Sequence, residues 1–242
     1  MPTASANVDT APVPADALAL DQACPSASAA PAVVPEVPEH LLPHGAKALV
    51  FDCDGTLLDS MGVHLEAWKH TAAIFGIKIN AAGMVELAGK PVHELLDIFA
   101  ARSGVTVTPE LRHDFFHTKS RYYLEHAREV KVIDDVVAVV KAGAARGLPM
   151  AVASGGTRKH VMEGLTATGL LPYFKAIVCG EDVPHGKPAP DAFLLAAKQL
   201  GVEPEGCVGY EDAALGMQAI RNAKYMAAID VTTLPSYPHL TD

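Results

Sequence analysis

The chain has 242 residues, half of them hydrophobic, with 28 acidic side chains against 19 basic ones and a formal net charge of −9. That length suits one domain with a smaller one inserted. The lack of a dense basic patch argues against a nucleic-acid partner, and no window reaches the roughly 18 consecutive apolar residues of a membrane span. An acidic protein that holds an anion must gather local positive charge, from a lysine or a metal. The four cysteines, Cys24, Cys53, Cys179 and Cys207, form no Cys-x-x-Cys. They read as reduced thiols in a reducing compartment, which sets the expectation of a cytoplasmic protein.

Residues 1–44 are rich in Ala, Pro and Ser and contain no Lys or Arg. Such a segment cannot bury enough apolar surface to offset its ordering entropy, so a disordered extension is expected there. Its acids (Asp9, Asp16, Asp21, Glu36, Glu39) and missing arginines fit neither a signal peptide nor a usual transit peptide, although the Ala/Ser content leaves a plastid address open. Ala48 to Phe51 is a short apolar run suited to a buried parallel strand, and it stops at Asp52-Cys53-Asp54-Gly55-Thr56. Helical spacing follows at 61–76, 81–87, 91–101 and 109–126, the last with Pro109 in its first turn. Helices in series interrupting an α/β pattern predict an inserted helical cap over 61–131, with the core in 45–60 and 132–242.

From Ile133 the alternation resumes. Helices are expected at 134–146, 157–168, 190–200 and 213–223, and strands at 148–153, 176–179, 207–210 and 225–229. Repeated strand–helix order predicts a Rossmann-like parallel sheet. Ligands bind at the carboxyl ends of such strands. Four of those ends carry polar residues: Asp52 and Asp54, Ser154, Glu211 and Asp212, and the loop after Cys179 that holds Lys187. Clustered carboxylates without a cation would repel, and Mg²⁺ is the natural counter-ion for an oxygen donor set next to phosphate. Ser154-Gly155-Gly156, between a strand and a helix, offers a hydroxyl and free backbone N–H groups to an anion.

Asp52-Cys53-Asp54-Gly55-Thr56 resembles motif I of the haloacid dehalogenase superfamily. The position of Ser154 resembles its motif II, and Gly186-Lys187-Pro188-Ala189-Pro190-Asp191 resembles motif III of its sugar-phosphate branch. The resemblance covers residues 46 to about 231 and is nearest to the bacterial fructose-1-phosphate and 6-phosphogluconate phosphatase group. It implies a Mg²⁺-dependent phosphatase acting on small sugar phosphates, with Asp52 as nucleophile and Asp54 as general acid/base; a monomer is the default expectation. The implied metal set is Asp52, the main-chain carbonyl of Asp54, and Asp212, with Glu211 bound directly or through water. Gly55, Thr56, Ser154, Gly155 and Lys187 would hold the phosphate. His64, ten residues past Asp54, matches a histidine found near the leaving group in that branch, though a lone histidine on a helix also reads as structural. Lys119 is a further candidate to reach substrate. β-Phosphoglucomutase is the rival reading. There the second phosphate is held by an arginine three residues after a glycine, and in Gly89-Lys90-Pro91-Val92 that place is taken by Val92.

Overall fold

The computed structural model describes residues 35–80 and 92–238. The elements in chain order are β1 (Ala48–Phe51), β2 (Leu58–Asp59), α1 (Met61–Ile74), α2 (Val92–Arg102), α3 (Pro109–His126), β3 (Lys131–Val132), α4 (Asp134–Ala145), β4 (Met150–Ala153), α5 (Arg158–Ala167), β5 (Ala176–Val178), α6 (Asp191–Leu200), β6 (Cys207–Glu211), α7 (Ala214–Asn222) and β7 (Ala227–Asp230). The helix expected at 81–87 lies outside the described residues.

Five strands form one parallel sheet in the order β5-β4-β1-β6-β7. β1 is central, with Phe51 opposite Val152 on one side and Tyr210 on the other. Its four residues are fully buried, as a strand covered on both faces requires. The two faces differ in bulk. Leu49, Phe51, Met150, Val152, Ile177, Val208 and Tyr210 point into one apolar cluster, where Val136, Val140, Val161 and Leu165 of α4 and α5 meet them. Ala48, Val50, Ala151, Ala153, Ala176, Val178 and Cys207 point into the other, under α6 and α7. The small residues let those two helices approach closely. At Gly209 an added Cβ would stand 2.8 Å from Ile220 of α7.

Helices α1 to α3 run between β2 and β3, which pair antiparallel through Leu58–Val132 and Asp59–Lys131. This two-stranded ribbon is too short to show in the sequence. Trp68, Ala72, Leu95, Leu96, Phe99, Ala100 and Phe115 give the three helices an apolar cluster of their own. The helix stop expected at Gly201 is a left-handed C-cap with φ 70°. The last strand begins later than expected, at Ala227, because Lys224 turns left-handed and the Tyr225 hydroxyl is drawn to the Phe193 carbonyl under α6.

The expectation of disorder through residue 44 does not hold for residues 41 and 42. Leu41 and Leu42 are buried in the main cluster, and the Tyr210 hydroxyl donates to the Leu41 carbonyl. Two leucines and one hydrogen bond suffice to dock a proline-rich stretch whose composition alone suggests no core.

Candidate active site

β1 carries Asp52 to the carboxyl edge of the sheet, and the ladder continues one residue further through Asp52 N–H to the Tyr210 carbonyl at 3.0 Å. β6 delivers Glu211 and Asp212 beside it. Ligand oxygens of Asp52, Glu211 and Asp212 all lie within 4.8 Å of one another. The Lys187 ammonium enters from the loop before α6 and donates to Asp52 Oδ1 at 2.5 Å and Glu211 Oε1 at 2.7 Å. Asp52 and Glu211 are only 6% and 2% exposed.

Burial raises the Asp52 carboxyl well above the carboxylate range, and Lys187 only partly opposes it. Burial lowers Lys187, but Asp52 and Glu211 outweigh this and hold it above an ordinary lysine. Burial and the neighbouring Glu211 push Asp212 up to about 6. Three carboxylates thus share one ammonium, and a divalent cation would restore neutrality. Hard oxygen donors at this spacing fit such an ion.

Glu211 also holds the start of α7. Its Oε2 accepts the Ala213 N–H at 2.6 Å, so both of its oxygens are engaged. A Cβ on Gly216 would stand 1.7 Å from Glu211 Oε1, which shows how closely the helix backs this carboxylate. Gly55 is equally constrained: its φ is +86°, and a Cβ there would fall 2.3 Å from Asp212 Oδ2. The Thr56 hydroxyl donates to Asp212 Oδ1 at 3.1 Å and is itself fully buried.

Asp54 faces the helical side. Ser60 donates to its Oδ1 at 2.6 Å, and His64 Nε2 stands 3.4 Å from the same oxygen. Lys119 Nζ of α3 lies 3.5 Å from His64 Nδ1, and the imidazole stacks on Tyr123 at 4.3 Å. Burial pushes the Asp54 carboxyl up, but His64, Ser60 and Lys119 outweigh it and bring it to about 2. Burial lowers the Lys119 ammonium to about 8. Ser154 is buried at the end of β4, where its Oγ accepts the Gly156 N–H at 2.9 Å. A Cβ on Gly156 would meet Asp54 Oδ2 at 3.4 Å, so this loop borders Asp54. Gly155 is exposed at its tip.

The structure therefore gathers Asp52, Asp54, Gly55, Thr56, Glu211, Asp212 and Lys187, with Ser154 at the border and His64 and Lys119 on the helical side. Val92 stands exposed at the start of α2, and Lys90 lies outside the described residues. Two features escape sequence reasoning. Tyr237, near the end of the described chain, directs its hydroxyl to Asp212 Oδ2 at 3.4 Å. Ser120 of α3 bonds His160 of α5 at 2.7 Å across the two layers. Each is an isolated polar residue in an unremarkable setting and carries no local signal.

Residues 46–224 match the family described as haloacid dehalogenase-like hydrolase. The chain is 37% identical to the fructose-1-phosphate phosphatase YqaB of Escherichia coli (strain K12), covering 77% of this chain and 96% of that one. It is 29% identical to the 6-phosphogluconate phosphatase of the same organism, over 72% of this chain and 77% of the other. Among solved structures, the β-phosphoglucomutase of Clostridium difficile is similar with a TM-score of 0.66 and 25% identity, over 81% of this chain and 91% of that one.

Proposed function

The chain belongs to the haloacid dehalogenase-like hydrolase family, and on that premise we propose that it is a Mg²⁺-dependent phosphatase of small sugar phosphates, of the fructose 1-phosphate or 6-phosphogluconate kind. Its reaction is the hydrolysis of phosphoric monoesters. The observation that carries the finer reading is the cluster of three carboxylates, Asp52 and Glu211 buried and Asp212 half-buried, with the Lys187 ammonium paired to the first two. Asp52, the Asp54 main-chain carbonyl and Asp212 would hold Mg²⁺, with Glu211 acting through water because Lys187 and Ala213 already engage its oxygens. When bound, the ion neutralises charge between nucleophile and phosphate and orients the attack.

Asp52 attacks phosphorus and forms an aspartyl-phosphate as the ester P–O bond breaks. Lys187 opposes part of the effect of burial on Asp52, a bound cation would oppose the rest, and the ammonium pairs with a phosphoryl oxygen. Asp54 delivers a proton to the leaving alkoxide. In the second half it takes a proton from water, whose oxygen attacks phosphorus and releases Asp52 and inorganic phosphate. At about 2 the resting Asp54 is ionised. An arriving phosphate brings negative charge close to it, which raises its affinity for the proton that the first half-reaction requires. Ser154 and the backbone turns at Gly55-Thr56 and Gly155 bind the remaining phosphate oxygens. Helices α1 to α3 act as a cap that excludes bulk water and selects the sugar.

A mutase must keep its bisphosphate intermediate through a turnaround, which calls for a cation gripping the second phosphate. Val92, exposed and uncharged, stands where that grip would be, so hydrolysis is the favoured outcome. A cytoplasmic location is part of the same proposal: Cys53, Cys179 and Cys207 are buried and free. The relatives named above are bacterial and give a plastid address no support. The decisive experiment is a panel of sugar phosphates assayed for phosphate release with Mg²⁺, alongside Asp52→Asn. Normal hydrolysis by that variant would remove Asp52 as nucleophile. Conversion of β-glucose 1-phosphate to glucose 6-phosphate, dependent on a bisphosphate primer, would decide for the mutase.

A further inference from the structure

Asp212 is clamped by three contacts of different origin. Gly55 lies flat against its carboxylate, with no room for a Cβ. Thr56 donates to Oδ1. The third contact, on Oδ2, is the Tyr237 hydroxyl, and it comes from a segment that belongs to no catalytic loop. After β7 the chain folds back over the sheet edge. Val231 and Leu234 are buried in the main cluster, and Asp230 accepts from both the backbone N–H and the hydroxyl of Thr232. Ser236 then pairs reciprocally with Asp135 at the start of α4: the Asp135 N–H donates to Ser236 Oγ at 3.0 Å, and the Ser236 N–H donates to Asp135 Oδ2 at 2.8 Å. Tyr237 follows at once, its ring packed against the main cluster and its N–H bonded to the Leu234 carbonyl.

We infer that residues 230–237 form a strap whose purpose at the site is to present the Tyr237 hydroxyl to Asp212 and fix the plane of that carboxylate for a divalent cation. Tyr237 is a positioning residue: it touches neither phosphate nor ion. A carboxylate held by one hydroxyl on each oxygen cannot rotate about its Cβ–Cγ bond, yet each oxygen keeps a free lone pair for metal. Outer partners of this kind tune metal affinity by about 10- to 100-fold when they are well formed. The 3.4 Å separation is long for a hydroxyl on a carboxylate, so the effect falls below that range, at about 3- to 10-fold.

This inference rests on Asp212 being a metal ligand, and the test separates the two. Mg²⁺ binding is measured by isothermal titration calorimetry on the metal-free protein and on Tyr237→Phe, with the metal-free melting temperature as a check of the fold. Tyr237→Phe is expected to weaken Mg²⁺ about 3- to 10-fold, to leave the metal-free melting temperature within a degree or two, and to keep kcat at saturating Mg²⁺. Unchanged Mg²⁺ affinity in Tyr237→Phe would overturn the positioning role while leaving the metal reading intact. Absence of Mg²⁺ binding by the parent would overturn both. Should Tyr237→Phe unfold, the double variant Ser236→Ala with Asp135→Ala removes both bonds between strap and α4 without touching the hydroxyl. A weaker Mg²⁺ affinity in that variant supports the strap, and an unchanged one refutes it.

Discussion

Gly216 offers a test of the site that touches no charged group. It lies in the first turn of α7, and an added methyl would stand 1.7 Å from Glu211 Oε1 and 2.0 Å from its Cδ. Glu211 is 2% exposed and has no room to withdraw, so Gly216→Ala must displace the carboxylate from Lys187, from the Ala213 N–H, or from both. Replacing glycine by alanine within a helix ordinarily gains about 1 kcal/mol. Against this stand two hydrogen bonds to a buried charge, each worth about 1.5–3 kcal/mol. The balance is a loss of roughly 2 kcal/mol or more, a fall in melting temperature of about 4–8 °C for a chain of this size. Lys187 would follow Glu211, and a shift of about 1 Å in a group that positions a reacting centre costs on the order of a hundredfold in turnover. Gly62→Ala is the control: Gly62 lies in α1, and no heavy atom comes within 4 Å of an added Cβ. That variant should melt at or above the parent with unchanged kcat. Calorimetric melting and steady-state phosphate release measure both quantities. A Gly216→Ala protein that is more stable than the parent and fully active would refute the coupling of α7 to Lys187 through Glu211.

Asp212→Asn should stabilise the metal-free protein while abolishing its response to Mg²⁺. The Asp212 carboxyl, near 6 when folded, binds a proton more tightly folded than unfolded. It therefore favours the fold below about pH 4, and that contribution is lost as the pH rises through 6. Removing the charge should return on the order of 2 kcal/mol at pH 8, seen as a higher melting temperature in EDTA; a lower one would contradict the electrostatic strain assigned to the cluster. His64→Gln should raise the Asp54 carboxyl, because it leaves burial less opposed, and so move the alkaline limb of kcat/KM, where the general acid loses its proton, to higher pH. An unshifted limb would detach Asp54 from the acid–base step.

The parts legible in the sequence were those where polarity interrupts an apolar run. Asp52, Ser154 and Glu211 each end a buried strand, so their convergence follows from strand parallelism alone. Lys187 is legible only as part of the stretch Gly186-Lys187-Pro188-Ala189-Pro190-Asp191 and its family resemblance, since a lone lysine reads as a surface charge. What stayed hidden was long-range and pairwise. Nothing near Tyr237 announces Asp212, 25 residues away, and nothing near Ser120 announces His160. The β2–β3 ribbon has two residues per strand, below any periodicity. Leu41 and Leu42 sit among prolines that mask their burial. Helix α1 illustrates the opposite case. Its apolar spacing predicts a helix of an inserted unit, and the face carrying Trp68 and Ala72 turns to the cluster it shares with α2 and α3.

The asymmetry of the sheet links its packing to its chemistry. Alanine, glycine and cysteine on one face draw α6 and α7 close to β1 and β6. The start of α6 follows directly on the Lys187 loop, and the start of α7 follows directly on Asp212. Phe193, on the buried face of α6, packs on that small-residue side and sits 5.2 Å beneath the Lys187 ammonium. A larger residue at Gly209 would collide with Ile220 and push α7 outward. Asp212, which leads into α7, would move with it, while Asp52 and Glu211, held by the sheet, would not. The fit of three carboxylates to one cation is therefore set by side-chain volume on the same sheet face toward which strand alternation turns Asp52 and Glu211.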